Sequence, residues 1–81
     1  MIFVYILGKV ETGREMDVLN SFKNFDPVIR ATVTYGIYDL FIEAQFETME
    51  ELDDFIFNVV RKTNGITDTV TLVAARMLKK D

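Results

Sequence analysis

The chain has 81 residues with no cysteine and no histidine. That leaves room for one domain and excludes disulfides, thiolate metal sites and every Ser/His/Asp or Cys/His catalytic arrangement. Apolar residues make up 49% and aromatics 12%, while 13 acids against 9 bases give a formal charge of -4. This supply of apolar side chains is rich for so small a core, so some of it is expected to meet another subunit. The charge argues against direct nucleic-acid binding, which relies on basic side chains at phosphates.

The chain opens on the apolar run Met1 to Leu7, ended by Gly8 and Lys9. It has no basic leader, and a membrane span needs about twenty apolar residues. Ile2 to Val10 is therefore predicted to be a buried strand, not a signal or anchor, in a cytoplasmic protein. Thr12-Gly13-Arg14-Glu15 reads as a capping box. The helix behind it is expected from Gly13 or Arg14 to about Asn24, with Met16, Val18, Leu19, Phe22 and Phe25 inward, until Asp26-Pro27 stops it. Val28 to Tyr35 is the second predicted strand, Gly36-Ile37-Tyr38 a turn, and Asp39 to Phe46 the third strand. Its even-numbered residues Leu40, Ile42, Ala44 and Phe46 share one face, and Phe41, Glu43 and Gln45 the other. Thr48-Met49-Glu50-Glu51 is a second capping box. Leu52, Phe55, Ile56, Val59 and Val60 then form a helical stripe that Asn64-Gly65 ends. Thr67 to about Leu78 is the last predicted strand.

Each half thus holds a strand, a helix opened by Glu-Thr-x-x-Glu, and a strand. Such a split repeat closes as an α+β ferredoxin-like βαββαβ sandwich, a four-stranded antiparallel sheet with two helices on one face. The first strand is apolar on both faces, and Phe41 points to the uncovered one. A second copy stacked sheet to sheet is expected to cover it.

Few residues offer chemistry. Tyr5, Tyr35 and Tyr38 have no base nearby in sequence and read as amphipathic packing. The acids Glu50, Glu51, Asp53 and Asp54 suit the positive end of a helix dipole better than a cation loop. The scattered glycines form no phosphate loop. No cofactor is expected. The turn Tyr35-Gly36-Ile37-Tyr38-Asp39-Leu40 can present amides to a carboxylate and the Asp39 carboxylate to an ammonium, the two ends of an amino acid. Asp68-Thr69-Val70-Thr71 adds hydroxyls. Both segments also read as an ordinary hairpin turn and a β-prone run.

Gly36-x-Tyr38-Asp39-Leu40 before an apolar strand, with Asn64-Gly65-Ile66-x-Asp68-Thr69-x-Thr71 after the second helix, resembles the effector domain of the Lrp/AsnC regulators. This is the RAM domain of the feast/famine proteins. The family pattern there is Pro-Gly-Val-x-x-Thr-x-Thr, and Asn64 stands in place of the proline. The resemblance covers essentially the whole chain. It implies sheet-mediated homodimers that assemble into tetramers, octamers or rings, with a free amino acid bound between dimers. The matching positions are Gly36, Asp39, Met49, Thr69, Val70, Thr71, Leu72 and Val73, with Thr32, Thr34, Tyr35 and Tyr38 beside them. Tyr35 stands where the family often has small or polar residues. Full regulators carry a helix-turn-helix, whereas Met1 opens directly into the first strand here. The expectation is a single stand-alone effector domain over residues 1–81, not an enzyme, that co-assembles with full-length regulators without contacting DNA or membrane itself. The alternatives are a small ferredoxin-like dimeric enzyme with a pocket inside each subunit, and a purely structural assembly unit.

Overall fold

A computed structural model describes residues 1–80. The elements run β1 (Ile2–Val10), α1 (Glu15–Ser21), β2 (Val28–Val33), β3 (Leu40–Phe46), α2 (Met49–Phe55) with a π-helical continuation over Ile56–Val60, and β4 (Ile66–Val73). The sheet order is β2-β3-β1-β4, antiparallel throughout. This is the expected ferredoxin-like sandwich, with β1, the most apolar strand, at the centre.

Strand alternation separates two faces. On the helix side, Val4, Ile6 and Val10 of β1 join Leu40, Ile42, Ala44 and Phe46 of β3. Val18 and Phe22 of the first helical segment and Leu52, Phe55 and Val60 of the second complete this core. Phe55 is its aromatic hub, with ring centroids 5.3 Å from Phe46 and 6.2 Å from Phe22. The opposite face carries no helix. Two cross-strand rows run over it: Thr32, Phe41, Leu7 and Val70, then Arg30, Glu43, Tyr5 and Leu72. Tyr5 and Phe41 stack at 5.9 Å. Arg30 grips Glu43 with both forks of its guanidinium, at 2.6 and 3.1 Å.

Several boundaries differ from those the sequence suggests. The first helix is shorter, Glu15–Ser21, and Met16 faces solvent while Leu19 is half-buried. Thr12 does not cap it. Gly13, at φ +89°, turns the chain between them, Arg14 occupies the cap position, and the Glu15 carboxylate instead accepts the Gly13 amide at 3.0 Å. The second capping box forms in part. Thr48 Oγ1 accepts the Glu51 amide at 3.1 Å, but the Glu51 carboxylate takes the Glu47 amide, one residue earlier than the reciprocal bond requires. The second strand stops at Val33, so the hairpin loop spans 34–39 and β3 begins at Leu40. The last strand ends at Val73, well short of Leu78, because β1 extends only two residues beyond Val4: Val73 sits opposite Val4, and the Ala74 amide makes the final rung to the Phe3 carbonyl at 2.9 Å. Residues 74–80 have no regular structure. The second helical segment ends at Val60, earlier than Asn64-Gly65 suggested; Gly65, at φ +102°, instead turns the chain into β4, and a Cβ there would lie 3.0 Å from Val18 Cγ2. Among the described residues no helix is long and apolar enough to cross a membrane.

Candidate functional site

The hairpin loop is knotted to β1 by hydrogen bonds. The Thr34 amide donates to the Asp39 carbonyl at 2.8 Å, and Thr34 Oγ1 to the Tyr38 carbonyl at 2.7 Å. The Asp39 amide donates to the Gly8 carbonyl at 2.9 Å. Asp39 Oδ2 accepts the Val10 amide at 3.0 Å, where a register shift between Lys9 and Val10 interrupts the β1–β4 ladder. A carboxylate offers about four acceptor sites, so this bond fixes the group and leaves capacity for another donor. Lys9 Nζ lies 5.9 Å from the Tyr38 ring centroid. Gly36 takes φ +126°, a region that disfavours side chains, and Tyr35 and Ile37 beside it stand exposed at the tip.

Gly8 is the hinge between this loop and the start of β4. It pairs with Leu40 on one side and Thr69 on the other. Adjacent strands lie about 4.8 Å apart, so the Asp39 and Thr69 backbones stand at one end of the sheet roughly two strand spacings from each other. Thr69 and Thr71 lie in rows with Gly8 and Ile6 on the helix side, whereas Val70 and Leu72 lie in the rows of the bare face. Val73 falls in the row of Val4 on the helix side. Met49 opens α2, beyond the far end of β3. The strand between Leu40 and Phe46 is about 20 Å long, so Met49 and Asp39 are far apart in one chain. One subunit therefore gathers Thr34, Tyr35, Gly36, Tyr38 and Asp39 in the hairpin with Thr69 across Gly8; Thr71 follows on the same face of β4, Val70 and Leu72 lie on its bare face, and Met49 is at the far end. None of the clefts described among these residues is lined by Gly36 or Asp39. Thr69 lines a shallow one with Arg61, Ile66, Thr67 and Asp68.

Sequence reading missed two members of this region. Val10 supplies the amide that orients Asp39, and Arg61 packs over Phe57, 4.5 Å from its centroid, beside the cleft at Thr69. The β1–β3 pairing implied by the strand plan was the available signal for Val10, but register between strands so distant in sequence is not written locally. Arg61 carried no signal beyond its place near the helix end.

The architecture is that of the ferredoxin-like ligand-binding domains. The model of the Lrp/AsnC ligand binding domain matches residues 4–81, and the chain belongs to that family of transcription regulators. The HTH-type transcriptional regulator FL11 of Pyrococcus furiosus is 25% identical over 79 residues, covering 98% of this chain and 52% of the regulator. The chain thus spans about half the length of the curated relatives it matches. The crystal structure of FFRP-DM1 superposes with a TM-score of 0.88 at 34% identity, covering 91% of this chain and 99% of that one. The transcriptional regulator NMB0573 of Neisseria meningitidis, solved as a complex with L-Met, has a TM-score of 0.88 at 16% identity, over 98% of this chain and 53% of that one; this last likeness is one of fold.

Proposed function

We propose that this chain is an amino-acid- or small-metabolite-sensing domain that assembles with itself and with full-length regulators of its family to act on transcription in the cytoplasm. The observation that carries the reading is the anchored Asp39 carboxylate, held beside the Gly36 turn at the end of the sheet where β4 begins. Exposed amides at Gly36 suit the carboxylate of an amino acid, and Asp39 suits its ammonium. The L-Met complex of NMB0573 is a precedent in the same fold. Because Met49, Val70 and Leu72 lie away from the hairpin in one chain, a pocket using them requires a neighbouring copy. The bare face with Phe3, Tyr5, Leu7 and Phe41 gives a first contact for one.

A thermal-shift series with the twenty amino acids tests this, since a ligand that binds only the folded state raises its stability by mass action. One or a few amino acids should raise the melting temperature in the millimolar range. Co-purification of a tagged full-length regulator with this chain tests assembly. If no amino acid shifts the transition, sensing is wrong. A second reading, a structural assembly unit, then takes its place. That reading draws on the Val10–Asp39 bond, which gives the aspartate a role without any ligand.

A further inference from the structure

The second helical segment and the C-terminal segment carry opposite charge, and the start of that helix lies at the end of the sheet from which the C-terminal segment leaves. A groove of about 840 Å³ runs beside α2. It is lined by the half-open ring of Phe25 and by Val59, with the buried rings of Phe46 and Phe55 behind them, and by Glu50 and Asp54, the latter accepting Asn58 Nδ2 at 2.6 Å. Phe25 is left 37% exposed despite packing edge-on against Phe55 at 5.8 Å. Among the described residues, neither of these acids has a basic group within ion-pair distance; the ion pairs join Arg14 to Asp17 and Arg30 to Glu43. The segment after β4 reads Ala74-Ala75-Arg76-Met77-Leu78-Lys79-Lys80-Asp81, three bases against one acid. Leu78 is 91% exposed and Met77 is also exposed. A basic and apolar peptide is the complement of such a lining: cations favour ring faces and carboxylates, and methionine adapts to irregular apolar surfaces.

We propose that this groove receives the C-terminal segment of a second copy of the chain. The segment leaves the sheet at Ala74, beside Phe3, and Phe46, where β3 hands over to α2, lies opposite Ile2. Tail and groove therefore share one end of the sandwich. Extended, residues 75–80 span about 20 Å, and the helical stretch Met49–Val60 is about 18 Å long. Within one chain, Met1 stands between them: it lines the cleft beside the tail, with Phe3 and Met77, and the cleft beside Pro27 and Glu51. Two copies meeting end to end about a two-fold axis can each place a tail in the other's groove, a closed and reciprocal exchange. This contact is separate from the bare sheet face and from the hairpin, and it stands whether or not an amino acid binds.

The absence of native cysteine allows a clean test. Full chains carrying Leu78→Cys or Val59→Cys are made singly, mixed and oxidised under mild conditions. A disulfide forms only when the two Cα atoms approach within about 7 Å. The mixed product should exceed the statistical share several-fold. Adding Glu50→Lys and Asp54→Lys to the Val59→Cys chain should cut that product roughly threefold or more, with the unpaired fold checked by circular dichroism, since each exposed ion pair contributes modestly and two are reversed. Deleting residues 76–81 should reduce assembly mass in sedimentation and lower the melting temperature only by the lost association, a difference that vanishes on dilution. A statistical disulfide mixture overturns the proposal. So does an intrachain disulfide in the Leu78→Cys/Val59→Cys double variant without the mixed product, which assigns the groove to the chain's own tail.

Discussion

Asp39 has one observed role and one proposed one. Its Oδ2 satisfies the Val10 amide at a break in the ladder, and under the proposed function the same carboxylate meets a ligand ammonium. Asp39→Ala removes both. It should cost about 1–3 kcal/mol of stability from the lost charged hydrogen bond and weaken amino-acid binding about ten- to a hundredfold. Asp39→Asn keeps an oxygen for the Val10 amide and removes the charge. Its melting temperature should stay near that of the parent while calorimetric affinity drops. If affinity survives both changes, Asp39 is a structural residue and the pocket assignment fails. The sequence made the aspartate visible, because a carboxylate one residue before an apolar strand and three after a glycine is a compact pattern. It did not reveal the partner, since Val10 lies twenty-nine positions away and only the strand register brings the two together.

Among the elements, interiors were legible and ends were not. The stripe Leu52, Phe55, Ile56, Val59 and Val60 packs as its period implies, with Leu52, Phe55 and Val60 buried. Strand ends failed where apolar, β-prone residues ran past their pairing partners, at Thr34-Tyr35 and at Ala74 to Leu78. Propensity there has no ladder to act on. The two capping boxes make the same point and give a paired prediction. Thr48→Ala should destabilise by about 1 kcal/mol, and Thr12→Ala by a few tenths at most, as read from chemical denaturation; equal losses would mean Thr12 caps after all. The edge pair Arg30–Glu43 sets a pH response. Its hydrogen bond to Arg30 holds the Glu43 carboxyl below its ordinary value, against some opposing burial. A lowered folded pKa means that stability from this group is fully present above the unfolded glutamate pKa of about 4.3 and is lost as pH falls through the lower folded value. Denaturation midpoints should therefore decline more shallowly in acid for Glu43→Gln than for the parent. The effect is small because the pair is open to solvent.

For the molecule as a whole, the proposed assembly turns on one sheet face left without a helix. Phe3, Tyr5, Leu7 and Phe41 are half-buried in a single chain, and Val70 and Leu72 are exposed. Phe41→Glu places a charge in the row with Leu7 and Val70 and removes the stack on Tyr5. Sedimentation should then show a smaller assembly than the parent gives at the same concentration, or unfolded chain; an unchanged mass would mean this face makes no contact between subunits. That this face would be bare was legible from counting two helices against two apolar strand faces. Which residues cross-pair on it was not. The strand order has a further outcome, in the timing of synthesis. Within this domain β1 is made before both of its sheet neighbours, β4 last of all, with Val4 opposite Val73. A nascent chain thus carries its most apolar strand with an unsatisfied edge until β4, the last strand of the domain, is made. Such edges template aggregation, and pairing over so long a separation is slow. Chains released early, without Ile66–Val73, should be captured by chaperones or degraded rather than accumulate as a smaller folded form.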